Sequence, residues 1–395
     1  MNHPETMGKK QHILFVGQSL KVGGIERAMV EQVNALSREG YDVDLLLFYK
    51  GGEYLQQVSP SVRVIGSNLL LTSMAMTKKE SKSNVINFLL RTLMYVLSRK
   101  VGNRRLYSFL FRYMRVLRDY DIAISYFHDG AEKGLYYGCN LFVLDKVEAH
   151  RKVTWVHSDP YLLKAGSDDS RELYKRFDAI VNVSFAMKRK FDSLSVVPQR
   201  HSFVVYNRYD EQRILQLADE NLAIEQNKAT MVTVGRLEYY KGTMELLKIA
   251  CRLKKQGVVF TWFFLGTGCQ LEEAKKFVSD NELKENVIFT GQIANPYPYI
   301  KRADLLVSGS LSETFGLSIL ESLILNTPVV ALRYEAIDEV VQNGENGIVA
   351  DTFEDLYQQL KNLFSEKERL NELKVTATPL LDYTKQNELQ IKDIL

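Results

Sequence analysis

Residues 312–323 read SETFGLSILESL, with Glu313 and Glu321 bracketing an apolar stretch that contains Gly316. A helix beginning near Phe315 or Gly316 would present unsatisfied backbone N–H groups and a positive dipole end to an anion, and glycine lets that anion approach the backbone. Phosphate fits there. Glu313 would lie in the loop ahead of the helix and Glu321 in its second turn, about 8 to 12 Å apart if the piece is mostly helical. Carboxylates accept charge-assisted hydrogen bonds from hydroxyls, so the order Glu, helix N-terminus, Glu matches a ligand with sugar, diphosphate and ribose in series. A nucleotide sugar is such a molecule. Two carboxylates beside a diphosphate would repel it, and Arg236 and Lys241 on a neighbouring loop supply the compensating cations. Without that context both glutamates read as ordinary helix-terminal and surface acids, favoured by the dipole.

The elements that must position these residues are short. From Met231 the chain reads MVTVG, TMELLKIACRLKKQG, VFTWFFLG, QLEEAKKFVSDNE, VIFTG, DLLVSGS and PVVALR, which is strand and helix in alternation. The strands lack polar alternation, so they are buried on both faces of a doubly wound parallel sheet. HILFVG, a helix from about Ile25 to Arg38, DVDLLLFY, VRVIG, DIAISYF, KVTWVH, DAIVNVS and SFVVYN repeat the rhythm earlier. At 395 residues the chain exceeds what one hydrophobic core organises. The expected division is a Rossmann-like domain over 1–206 and a second over 207–381, joined through the polar stretch NRYDEQRILQLADENLAIEQNK, with a final helix over 382–395 packing back on the first.

In open α/β sheets ligands bind beyond the carboxyl ends of the strands. Gly235-Arg236 and Lys241-Gly242, Gly266 and Gly268, Gly291-Gln292, and Ser308 to Glu313 all fall at such ends. Any one of these glycines is equally a good helix entry, but four loops at one edge point to one cleft. Asp42-Val43-Asp44 and Asp119-Tyr120-Asp121 have the spacing of a metal-binding DxD string, yet each runs into an apolar strand and reads as structural. A nicotinamide oxidoreductase would need G-x-G-x-x-G after the first strand, and GQSLKVGG lacks it. The net charge of +3, from 51 basic and 48 acidic residues, indicates no nucleic-acid partner. Cys139, Cys251 and Cys269 lack CxxC spacing and fit a reducing cytoplasm. The apolar run after the opening lysines is too short for a signal-peptide core, and none elsewhere is long enough to span a membrane.

With these motifs the chain resembles the retaining glycosyltransferases of family 4. The resemblance rests on GGIERA at 23–28, WVHSD at 155–159, VVYNRYD at 204–210, VGRLEYYKG at 234–242, FLGTG at 264–268, FTGQI at 289–293, and SETFGLSILESL followed by TPVVALR. It implies the GT-B fold, two facing Rossmann-like domains with an interdomain cleft. It also implies roles. Arg236 and Lys241 would hold the donor diphosphate and stabilise the departing nucleotide, so no metal cofactor is expected to be essential. Glu313 would bind the donor sugar's hydroxyls; Gly235 and Gly266 would belong to the donor loops; the backbone of Phe315, Gly316 and Leu317 would contact sugar and phosphate. Glu321 would bind the ribose and Gln292-Ile293 the base. Gly23 and Gly24 would let the first domain's loop approach the phosphate, and His157 would sit near the transferred sugar, although a histidine after an apolar run can equally be a structural cap. Family transfer retains anomeric configuration by front-face attack, with no enzymic nucleophile. An epimerase of the same fold, and a non-catalytic partner subunit of another transferase, are the alternatives.

Residues 78–118 differ from the rest of the chain. Lys78, Lys79, Lys82, Arg91, Arg99, Lys100, Arg104, Arg105, Arg112, Arg115 and Arg118 face only Glu80 and the adjoining Asp119, interleaved with Phe, Leu, Tyr and Met. That composition suits an interfacial helix pair on an anionic membrane, with Arg105, Arg112 and Arg115 close together on a helix; a core helix with a solvated basic face is the other reading. In the resembled family a basic patch of this kind accompanies a lipid-linked saccharide acceptor. The expectation is therefore a cytoplasmic protein, peripheral on the inner face of the cell membrane. Its substrates would be a nucleoside-diphosphate sugar, with uridine diphosphate favoured, and that acceptor.

Overall fold

The computed structural model describes residues 10–129, 134–222, 228–380 and 382–394, so the first nine residues of the opening stretch and part of the polar connection at 207–228 lie outside the described residues. The chain divides into two compact units. One comprises Met1–Tyr209 with Thr384–Leu395, the other Asp210–Tyr383.

The first unit holds a seven-stranded sheet: β1 (His12–Gly17), β2 (Asp42–Leu47), β3 (Arg63–Gly66), β4 (Leu117–Ser125), β5 (Val147–Val156), β6 (Ala179–Asn182) and β7 (Ser202–Val204). Their spatial order is β3-β2-β1-β4-β5-β6-β7, with every pairing parallel. Apolar runs explain the arrangement: Ile13 to Val16 and Leu45 to Leu47 are buried on both faces, so helices must cover both. The helix Gly24–Arg38 does so from one side, burying Met29, Val33 and Leu36. The helix Tyr383–Ile394 belongs to this unit from Thr384 onward, and Ile391 and Ile394 join its core. Asn387 fixes it by donating to the Tyr206 carbonyl at 2.9 Å and accepting from the Tyr206 N–H at 2.8 Å.

The second unit holds β8 (Ala229–Val234), β9 (Phe260–Leu265), β10 (Val287–Gly291), β11 (Leu305–Ser308), β12 (Val329–Leu332) and β13 (Gly347–Ala350) in the order β10-β9-β8-β11-β12-β13, again all parallel. Both sheets reverse direction of winding once, between β1 and β4 and between β8 and β11. Such a switch point opens a crevice at the carboxyl ends of its two strands.

Two expectations need correction. The sequence pattern stops at PVVALR and omits β13, GIVA, which opens on glycine behind the turn-forming QNGEN and yet is fully buried beside β12. Arg105, Arg112 and Arg115 do not share a helix. The helix Asn103–Phe111 has Arg112 as its C-cap, and Arg115 lies beyond, where the chain turns to enter β4. The two DxD strings are built into the first sheet: Asp44 is buried, pairs with Arg63 and accepts from the Tyr120 hydroxyl at 2.8 Å, while Asp121 accepts from the His12 N–H at 2.8 Å. Burial alone would raise the Asp44 pKa, and the Arg63 and Tyr120 hydrogen bonds bring it below the ordinary value.

Candidate active site

In the second unit the loops after β8, β9, β10 and β11 are stitched into one backbone platform. Gly235 N–H donates to Leu265 O at 3.0 Å, Leu237 N–H to Thr267 O at 3.0 Å, Gly266 N–H to Gly291 O at 2.9 Å, and Leu311 N–H to Tyr240 O at 2.8 Å. A Cβ on Gly266 would overlap the Gly235 carbonyl oxygen, which explains a glycine at this crossing.

Charged side chains rise from the two loops that flank the switch point. After β8, Arg236 is exposed and lies 3.6 Å from Glu238. The Tyr240 ring stands 5.5 Å from the Arg236 guanidinium and 5.5 Å from Lys241 Nζ, so one aromatic ring neighbours both cations. After β11, Glu313 Oε1 pairs with Lys241 and accepts from the Ser310 hydroxyl at 2.9 Å. Both bonds use the same oxygen, which leaves Oε2 as the acceptor for a ligand hydroxyl.

The helix that follows runs Leu317–Ile324, with Gly316 as its N-cap at φ 96° and no side chain capping it. That left-handed backbone favours glycine, and a Cβ here would strike the Tyr334 hydroxyl. The same hydroxyl donates to Phe315 O at 3.0 Å and so fixes the residue entering the cap. The first N–H groups of the helix therefore stay open to an anion. Glu321, one turn on, is buried and accepts from the Tyr297 hydroxyl at 3.3 Å. Tyr297 opens the helix Tyr297–Arg302, reached through Gln292 (exposed) and Ile293 (half-buried) after β10.

The other predicted residues lie in the first unit. Gly23 caps the helix beginning at Gly24 after β1, in extended backbone at φ −175° that requires no glycine. His157 follows β5 and is buried; its ring lies 4.6 Å from Tyr126, and Nε2 has no hydrogen-bond partner among the described residues. Burial, and then the neighbouring His128, push its pKa down to about 3, so it is a neutral imidazole at physiological pH. Burial likewise pushes His128 down to about 4; its Nε2 lies 3.1 Å from the Ser158 hydroxyl. Next to it, burial pushes the Asp129 carboxyl up to about 7 against the backbone N–H groups it accepts from, Gly138 at 2.7 Å among them. Asp129 forms part of the lining of a groove of about 1090 Å³, with Arg104, Arg105, Arg112 and Lys164 among the cations around it. Arg104 is held by Asp169 at 2.7 Å, and Arg115 is not part of the lining.

Sequence reasoning missed Tyr240, Ser310, Tyr297, Tyr334 and the pair His128-Asp129. Tyr240 sits next to Lys241 and Ser310 three residues before Glu313, spacings that place both within reach of the charges. Tyr297 and Tyr334 are remote in sequence from what they hold and gave no local signal.

Comparison with known proteins bears on the second unit most directly. The profile of the family described as Glycosyl transferases group 1 matches residues 216–378. The alpha-monoglucosyldiacylglycerol synthase of Streptococcus pneumoniae is 32% identical over 139 residues, 34% of this chain and 32% of that protein. The N-acetylgalactosamine-N,N'-diacetylbacillosaminyl-diphospho-undecaprenol 4-alpha-N-acetylgalactosaminyltransferase of Campylobacter jejuni is 26% identical over 49% of this chain and 53% of its own length. The match thus spans about a third to a half of these relatives. A structure of Anabaena HepE in complex with UDP and glucose superimposes with a TM-score of 0.69 at 17% identity, over 96% of this chain and 98% of that one. This likeness is one of fold. Residues 216–378 thus match the group 1 glycosyl transferases, and the two parallel-sheet units are those of the GT-B fold.

Proposed function

We propose that the protein transfers a sugar from a nucleoside-diphosphate donor, uridine diphosphate favoured, to a hydroxyl of a lipid-linked saccharide in cell-surface polysaccharide or glycolipid synthesis. Retention of anomeric configuration, as in family 4, is part of the proposal. The observation that carries it is the Lys241–Glu313–Ser310 cluster beside Arg236 and the uncapped helix start at Gly316. Lys241 cancels part of the Glu313 charge, so the carboxylate can take sugar hydroxyls without repelling the diphosphate. Arg236 and Lys241 then stabilise the charge that develops on the departing nucleotide, an effect worth several kcal/mol in a preorganised site. The acceptor oxygen attacks the anomeric carbon from the face the diphosphate leaves, the bond to the diphosphate breaks, and a diphosphate oxygen takes the acceptor proton. Glu321 serves the ribose, and the loop at Gln292-Ile293 the base.

The acceptor falls to the first unit, where the groove lined by Arg104, Arg105 and Arg112 suits a phosphorylated lipid carrier. The cytoplasmic membrane face is the proposed location. Relatives named for glycolipid and undecaprenol-linked substrates support that acceptor class.

The test uses purified protein, labelled uridine and guanosine diphosphate sugars, and membrane lipid extract, with and without a metal chelator. Label is expected in the organic phase with one donor, in chelator as well as without. Equal nucleotide-sugar turnover in the absence of extract would indicate an epimerase instead, and silence with every donor and extract would favour a non-catalytic subunit.

A further inference from the structure

The helix Val85–Val101 is apolar on its outward side as well as its inward one, where Met94 and Leu97 meet the core. Its buried positions are Asn87, Met94 and Ser98, and Asn87 accepts from the Ser73 hydroxyl at 2.9 Å. The solvent side carries Ile86, Leu89, Leu93 and Val96, between 44% and 60% exposed. At about 100° per residue these four fall within one quarter-turn stripe, and Ile86 to Val96 spans about 15 Å along the axis. An ordinary surface helix keeps its outward face polar.

We infer that this helix lies in the plane of an anionic bilayer interface with that stripe immersed among the acyl chains. Charge selects this occupant. The helix contains no acid, and exposed cations stand at both ends, Lys82 before it and Arg99 and Lys100 in its last turn. The adjoining helix Asn103–Phe111 and its cap add the exposed Arg105 and Arg112. Two copies packed through the stripe would bring these like charges together, whereas anionic headgroups neutralise them. At 17 residues including Arg91, Arg99 and Lys100, the helix is suited to lying on a bilayer rather than crossing it, and no described helix is long and apolar enough to cross.

This inference rests on the membrane location proposed above but assigns binding to apolar insertion, which salt does not screen. The full chain would be floated with vesicles of phosphatidylcholine containing about a third phosphatidylglycerol, at low salt and at about 0.5 M salt, where charge attraction is screened within a few ångströms. The wild type is expected to stay partly bound at high salt. Ile86→Gln/Leu89→Gln/Leu93→Gln should lose that component about tenfold with an unchanged melting temperature, since the side chains are exposed. Arg105→Glu/Arg112→Glu should lose only low-salt binding. Leu89→Trp should be quenched by brominated lipid, while the native Trp155 and Trp262, both buried, should not. Equal flotation of the triple variant, or an unquenched Leu89→Trp in vesicle-bound protein, would overturn insertion. Wild-type binding fully reversed by salt would remove insertion and keep the membrane location. A dimer that the triple variant converts to monomer, without vesicle binding, would replace the bilayer with a second copy.

Discussion

Lys241 has two neighbours that decide its chemistry: the Glu313 carboxylate, which holds its charge, and the Tyr240 ring, which limits where it can swing. Ser310 completes the set by fixing the oxygen Lys241 uses. Glu313→Ala is expected to keep the fold and lower kcat by two or more orders of magnitude, whereas Ser310→Ala, which loses one hydrogen bond of about 1 kcal/mol, should lower kcat roughly fivefold with little change in KM. Steady-state kinetics with the donor that turns over would measure both; full activity in Glu313→Ala would remove this carboxylate from the site. Arg236, Lys241 and Glu313 stand out in the sequence as candidates because charge at a strand end has few structural uses. Tyr240 and Ser310 do not, because their roles exist only once the loops after β8 and β11 meet.

At the scale of elements, the anion-facing helix depends on the turn ahead of it. Gly316 is left-handed with the Tyr334 hydroxyl directly over its Cα, so Gly316→Ala meets both backbone strain and a clash. A destabilisation of about 1 to 3 kcal/mol is expected in urea unfolding, together with weaker nucleotide binding by calorimetry. Gly257, also left-handed but with open space around it, is the control: Gly257→Ala should give the smaller loss and unchanged binding. Equal effects would mean that the cap is not a tuned feature. The alternation of runs from Met231 made most of this unit's strands legible. β13 escaped because GIVA opens on glycine and directly follows the turn-forming QNGEN, so it reads as loop. The basic residues continue past Phe111 and so extend the apparent helix through Asn103, whereas entry into β4 at Leu117 ends it.

For the whole molecule, doubly wound sheets were legible because unbroken apolar strands require cover on both faces, but the buried imidazoles were not. His128 and His157 titrate near 4 and 3 when folded, far below the free value of about 6.5, so the unfolded chain takes up protons that the folded chain refuses. Their contribution is intact above about pH 6.5 and is lost as pH falls, at no more than about 1.4 kcal/mol per pH unit for each. Asp129 runs the other way: its folded pKa of about 7 makes its contribution fall as pH rises toward that value. Urea unfolding at pH 7 and pH 5 should therefore show a smaller acid loss in His128→Gln/His157→Gln than in the wild type, by about 1 to 3 kcal/mol. Parallel losses would mean that the imidazoles accept protons within the fold. One further consequence follows from Asn387 and its clasp on Tyr206. The second unit is contiguous in the chain, whereas the first needs residues that follow it. A chain cut after residue 383 would therefore keep the whole of the second unit while leaving the first without the helix that Asn387 anchors.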